Sequence, residues 1–267
     1  MAGAAPAYEF LDHRALAALR LVDSSGAQVR VPVAITSEGV SIVHKRHGEA
    51  AVLNAPGLAA HADAFDKVPT TPALGSVTVQ LDLRPTGRDL APRRFALALP
   101  RTSALAQAGT PGSLFQPVEI ELLPAAGATV SGFVAALSVT LRRADDDRRI
   151  EGALVRLKPS GGRPTARAVT DAAGDALLLV HGLPLANPGP NATVLPDIAA
   201  QLDAIVDPAL ARFTADAGLD LARATPRPGP PINPDDLESR LGGSATPPVA
   251  VRVGCGLTRT AALAWSP

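Results

Sequence analysis

Apolar residues recur at every second position through much of the chain. In QVRVPVAI, residues 28–35, Val29, Val31, Val33 and Ile35 alternate with other residues. VTVQLDL, 77–83, sets Val77, Val79, Leu81 and Leu83 on one face, and RFALALP, 94–100, repeats the pattern with Phe95, Leu97 and Leu99. Period two is the signature of a strand with one buried face. Turn signals separate these runs. ALAALRLV, 15–22, ends in Asp23-Ser24-Ser25-Gly26, and Arg84-Pro85-Thr86-Gly87 divides the two cleanest strands. Residues 40–43 and 50–53 flank Lys45-Arg46-His47-Gly48, a predicted hairpin turn. Five or six short strands with turns between them predict a β-sandwich over residues 1–101.

Residues 102–116, TSALAQAGTPGSLFQ, are short of charge and carry Pro111 and Gly112, so they read as a linker. Strand patterns resume in 117–267: VEIEL at 118–122, TVSGFVAALSVTL at 129–141 with a bend at Gly132, ALVRL at 153–157, ALLLV at 176–180, then 249–253 and 260–263. Residues 186–248 interrupt them as an insertion. Ile198, Leu202 and Ile205 stand at helical spacing and predict a helix over 197–206. Asp207-Pro208 predicts the start of a second, with Leu210 and Phe213 on one face. ATPRPGPPINP, 224–234, is too rich in proline for a helix and predicts an extended tract. Asp235-Asp236-Leu237-Glu238 then predicts one short helical turn, its acids favoured by the helix dipole.

The stretch 150–184, IEGALVRLKPSGGRPTARAVTDAAGDALLLVHGLP, orders Gly152, Ala153, Val155 and Leu157 ahead of Thr170, Asp171, Gly174, Leu177, Leu179, Leu183 and Pro184. That order resembles the carboxypeptidase-regulatory-like, or transthyretin-like, β-sandwich modules, over residues 129–184 and 249–264. Thr170 to Gly174 suits a hairpin turn, with Asp171 bonding its own backbone and Gly174 taking positive φ. Ala176 stands where such modules usually carry a large aromatic, and residues 186–248 follow where they usually run on with a Gly-Tyr pair. The resemblance implies a mainly β chain of two immunoglobulin/transthyretin-like β-sandwich domains, 1–101 and 117–267, joined by the linker 102–116. The second holds the partly helical, Pro-rich insertion 186–248. The arrangement also resembles accessory proteins of phage-tail-like contractile injection systems, whose N-terminal β-domain begins near a stretch like Tyr8-Glu9-Phe10-Leu11. This implies a structural subunit.

Charge and composition narrow the function. Lys plus Arg and Asp plus Glu both number 25, a balance that argues against nucleic acid and anionic membranes as partners. No apolar run is long enough to span a bilayer. Residues 1–11 lack the basic and apolar regions of a secretory leader, so the expectation is a cytoplasmic protein or part of a particle released by lysis. The single Cys255 excludes an intramolecular disulfide and a Cys-rich zinc site. Aromatic residues make up 3% of the chain, too few to wall a sugar cleft.

Candidate chemistry is sparse. His44 and His47 lie three apart, and with His61 and Asp63 they offer metal ligands only if the fold gathers them. The strand and turn around them favour a solvated turn. Asp145-Asp146-Asp147 suggests calcium, but lacks spaced ligands and a glycine, and Arg142, Arg143, Arg148 and Arg149 bracket it as at a self-neutralised hairpin tip. Cys255 has no neighbouring base and reads as an inert thiol. Glu119 and Glu121 share a strand face as a glycosidase pair would, though a solvated face is commoner. Ser160-Gly161-Gly162 and Gly242-Gly243-Ser244 read as turns, and Trp265 as a packing anchor. No catalytic, cofactor-binding or metal residue is assigned. The leading expectation is a non-enzymatic structural or adaptor subunit whose partners are other protein subunits. Alternatives are a carbohydrate- or surface-binding module, and an enzyme with a non-contiguous His/Asp metal site.

Overall fold

The computed structural model describes residues 14–45, 48–62, 69–130, 134–161, 165–182, 197–215, 231–254 and 258–267. The chain is mainly β, as the alternation predicts. One sheet holds β1 (Ala17–Val22), β3 (Ser41–His44), β4 (Glu49–Asn54) and β7 (Val118–Glu121) in the order β3-β4-β1-β7. A second holds β2 (Val33–Thr36), β5 (Val77–Pro85) and β6 (Arg93–Leu99) in that order. Leu19, Leu21, Val52 and Ile120 from the first sheet meet Ile35, Leu81, Leu83 and Leu97 from the second in one buried cluster. Each such leucine contributes about 1.5–3 kcal/mol by leaving water. The alternation of 28–35 becomes a strand only from Val33, because Pro32 cannot donate to a ladder, and Val31 before it is exposed.

The stretch 102–116 is an ordered loop and not a bare connection. Thr102 bridges Ser113, and the Arg101 guanidinium donates to the carbonyls of Pro111, Ser113 and Gln116. The strand β7 that follows, expected in the second domain, pairs in parallel with β1 from Leu19↔Val118 to Val22↔Glu121. Ile120 is fully buried in the first core.

The second sandwich opposes two further sheets. One comprises β10 (Leu154–Pro159), β11 (Ala166–Val169), β13 (Asp197–Ile205) and β15 (Val249–Gly254), ordered β11-β10-β13-β15. The other comprises β8 (Ala135–Arg143), β9 (Arg149–Glu151), β12 (Asp175–Val180) and β14 (Arg212–Thr214), ordered β12-β8-β9-β14, with β16 (Thr258–Trp265) parallel to β8. Val139, Leu141 and Leu178 pack on Val155, Leu157 and Leu202 between them.

Two expectations fail in the insertion. Residues 197–205 form strand β13, where a helix over 197–206 is expected. Ala200, Leu202 and Ala204 point into the core at period two, and the ladders to β10 and β15 satisfy the backbone. The helical spacing of Ile198, Leu202 and Ile205 is overridden by strand pairing. At 207–211 the Asp207 carbonyl accepts from Leu210 and Ala211, closing a turn, and Phe213 lies in β14. The helical turn expected at Asp235 is present as α2 (Pro234–Leu241); a shorter α1 (Ala59–Ala62) lies in the first half. The Thr170–Gly174 turn forms as the pattern predicts, with Asp171 Oδ1 accepting from the amides of Ala173 and Asp175. Gly174 has φ +70°, and a Cβ there would lie 2.8 Å from the Leu141 carbonyl oxygen. Tyr8 to Leu11, Gly132, Leu183, Pro184 and residues 224–230 of the proline tract lie outside the described residues.

Candidate functional site

The densest polar constellation is a charged seam where α2 and β10–β11 meet β6–β7. Helix α2 is specified locally. Asn233 caps it by accepting from the Asp236 amide, Pro234 starts the first turn, and Asp235 and Asp236 face the positive end of the dipole. Its Leu237 is fully buried against Leu154 and Ile205, on the outer face of the β10–β13 sheet. This pins Asp235 and Glu238 over the junction.

Arg93 on β6 is 1% exposed. A bare buried guanidinium would cost several kcal/mol. Its N–H groups are used: Nη1 donates to the Glu121 carbonyl, Nη2 to Asp235 and Nε to the Arg94 carbonyl, while the head lies 5.8 Å from the Phe95 ring centre. Burial still dominates and lowers its pKa, partly offset by Asp235. Arg167 on β11 donates to Glu121, Asp235 (3.0 Å) and Glu238 (3.1 Å). Burial opposes its charge, but Glu121 and Asp235 outweigh burial and raise its pKa above the ordinary guanidinium value.

Arg156 and Asp203 sit directly opposite each other on β10 and β13. Their bidentate bonds measure 2.8 and 2.9 Å, Arg156 reaches on to Glu238 at 3.0 Å, and Lys158 adds 2.8 Å to Asp203. Burial pushes the Asp203 carboxyl up, yet Arg156 and Lys158 hold it below the usual range. Asp235 is likewise lowered, since Arg93 and Arg167 overcome its burial. Every carboxylate in the seam already accepts from a guanidinium, an arrangement suited to fixing two bodies together rather than to moving protons.

The residues singled out in the sequence lie elsewhere, with one exception. Glu121 belongs to the seam, whereas Glu119 is exposed beside Arg20 at 3.4 Å, so the two do not form a glycosidase pair. His44 is exposed at the end of β3, while His61 is 5% exposed on α1. Among the described residues no three His, Cys, Asp or Glu could hold a metal. His47, Asp63 and Cys255 lie outside the described residues. Asp145, Asp146 and Asp147 each pair with arginines 142, 143 or 148 at the hairpin tip, as the bracketing charges imply. Trp265 stacks on Phe213 at 5.9 Å and is buried, so its ring anchors the strand in the core.

Sequence reasoning missed Arg93, Arg156 and Arg167, because arginines in strands read as solvent-facing. The signal that marks one of them is Arg156 within the otherwise apolar 153–157, opposite Asp203 on β13. A second feature is apolar: on the Arg101-braced loop, Leu105 and Phe115 are exposed and line, with Leu74 and Leu114, an open concavity of about 920 Å³.

No known family model and no curated protein matches the chain. Among solved structures, a minor pilin of the Gram-positive pathogen Streptococcus agalactiae aligns at 10% identity with a TM-score of 0.24. The alignment covers 83% of this chain, and the chain spans 65% of the length of that pilin.

Proposed function

We propose that the chain is a non-enzymatic structural or adaptor subunit of a larger protein assembly. The observation that carries this reading is the seam: Arg93 and Arg167 tie β6, β7, β11 and α2 together, so the two sandwiches present their surfaces in one orientation. An adaptor needs that rigidity more than it needs a reactive cleft. The exposed Leu74, Leu105 and Phe115 around a braced loop add an apolar contact surface of the kind that marks protein partners. The sequence resemblance suggests transthyretin-like modules and a contractile, phage-tail-like particle as the assembly. The carbohydrate-binding alternative loses its best ring, since Trp265 is buried under Phe213.

The test is purification of the native complex from its source, with and without Leu105→Asp plus Phe115→Asp. Stoichiometric co-purification of further subunits, lost in the double variant, supports the reading. A wild-type chain that assembles with nothing overturns it.

A further inference from the structure

Every open sheet must manage its edges, because an unpaired strand offers a row of N–H and C=O groups to any other strand. Most edges here are short or covered. Strands β2, β3 and β7 have four residues each and β14 has three. The edge of β6 is met by residue 232, whose carbonyl accepts from the Arg94 amide, and β11 sends Arg167 into the seam. Strand β12 is largely buried. Strand β15 carries the exposed Arg252 at its edge.

Strand β16 is different. It runs for eight residues, TRTAALAW, pairs with β8 along its whole length, and has no partner on its other side among the described residues. No proline, glycine or register shift interrupts it. Its single charge, Arg259, is neutralised by Asp197. Leu263 and Trp265 point into the core, while Thr258, Thr260, Ala262 and Ala264 stand exposed as small side chains. Apart from the paired Arg259, none of the usual devices that blunt an edge is present among the described residues.

We infer that β16 is a self-association edge: a second copy of the chain lays its own β16 antiparallel against it across a two-fold axis, continuing the β8 sheet from one subunit into the other. Charge favours a second copy as the occupant. In registers centred on Ala261 or Ala262, Arg259 falls opposite Leu263 or Trp265, so no like charges meet. The small outer residues then face one another. The net charge of zero leaves no long-range repulsion between copies. A self-complementary patch is also what a two-fold interface requires. The inference rests on the structural-subunit reading and names one of its partners.

The experiment uses the full chain and light scattering behind size exclusion over a concentration series. Two double variants alter only exposed side chains: Thr260→Lys with Ala262→Lys, and Thr260→Glu with Ala262→Glu. The wild type is expected to dimerise, and each variant alone to run as a monomer with an unchanged thermal melt. An equimolar mixture of the two is expected to restore the dimer, because lysines then face glutamates. Amide exchange at 258–265 should slow only where dimers form. A monomeric wild type, variants that dimerise as the wild type does, or a mixture that stays monomeric each overturns the inference. A monomeric wild type that still co-purifies with other subunits removes this edge alone and leaves the structural reading standing.

Discussion

Arg93 and Asp235 stand 142 positions apart, yet the buried guanidinium of one donates to the carboxylate of the other. Removing Arg93 empties a dry site and takes the donor from the Glu121 carbonyl, while Asp235, with its side chain 43% exposed, keeps Arg167 as a counterion. Arg93→Ala should therefore destabilise the protein by about 2–5 kcal/mol, through the cavity and the lost donor. Arg93→Met, which refills the volume, should cost less than Arg93→Ala. Urea unfolding midpoints measure both.

Acid should loosen the seam. Asp203 and Asp235 are held below the ordinary carboxylate range by Arg156, Lys158, Arg93 and Arg167 against the penalty of burial. A carboxyl lowered in the folded state releases its proton more readily there than in the unfolded chain. Its contribution is thus complete above the unfolded value of about 3.9 and is lost as the pH falls through the lower folded values. Asp171 works the other way. Burial raises its pKa, so its share of stability falls as the pH climbs from the unfolded value to the raised one. Denaturation midpoints between about pH 2 and pH 6 should fall on the acid side, with a shallower slope in Asp203→Asn than in the wild type.

Gly48 cannot take a side chain. Its φ is +71°, and a Cβ would sit 2.3 Å from the Val29 carbonyl oxygen, which is backbone and cannot swing away. Gly57 has φ +75° with open space around it. Gly57→Ala should cost about 1–2 kcal/mol from conformation alone, and Gly48→Ala distinctly more. Paired thermal melts compare the two.

Leu237 is the apolar pin of α2 on Leu154 and Ile205. Leu237→Ala should cost about 2–5 kcal/mol. It should also speed amide exchange in 234–241 ahead of the β13 amides, because the helix detaches from a sheet that stays paired.

Much of the fold was legible because period two is written plainly where one face is buried. Val79, Leu81 and Leu83 alternate in sequence and in burial alike. The alternation says nothing of which strands become neighbours, and so the parallel pairing of β7 with β1 lay beyond it. Strand β13 was misread because Ala200 and Ala204 are weak markers of an apolar face, while Ile198, Leu202 and Ile205 happen to fall at helical spacing. The hairpin tip at 145–147 was legible because its charges are local. The seam was not, since Arg93, Glu121, Arg167 and Asp235 come from four separate elements and meet only after folding.

In each half, the last strand lies parallel to the first: β7 beside β1, and β16 beside β8. A pull along the chain enters the second sandwich at Ala135 and leaves it at Trp265, along two strands that run the same way. Such a load drags them past each other lengthwise, so all the rungs from Thr258↔Ala136 to Trp265↔Arg143 resist together instead of opening one by one. The first sandwich takes tension in the same manner between Ala17 and Glu121. Among the described residues each sandwich is thus closed by its own first and last strand, and a load along the chain would meet both pairs in shear.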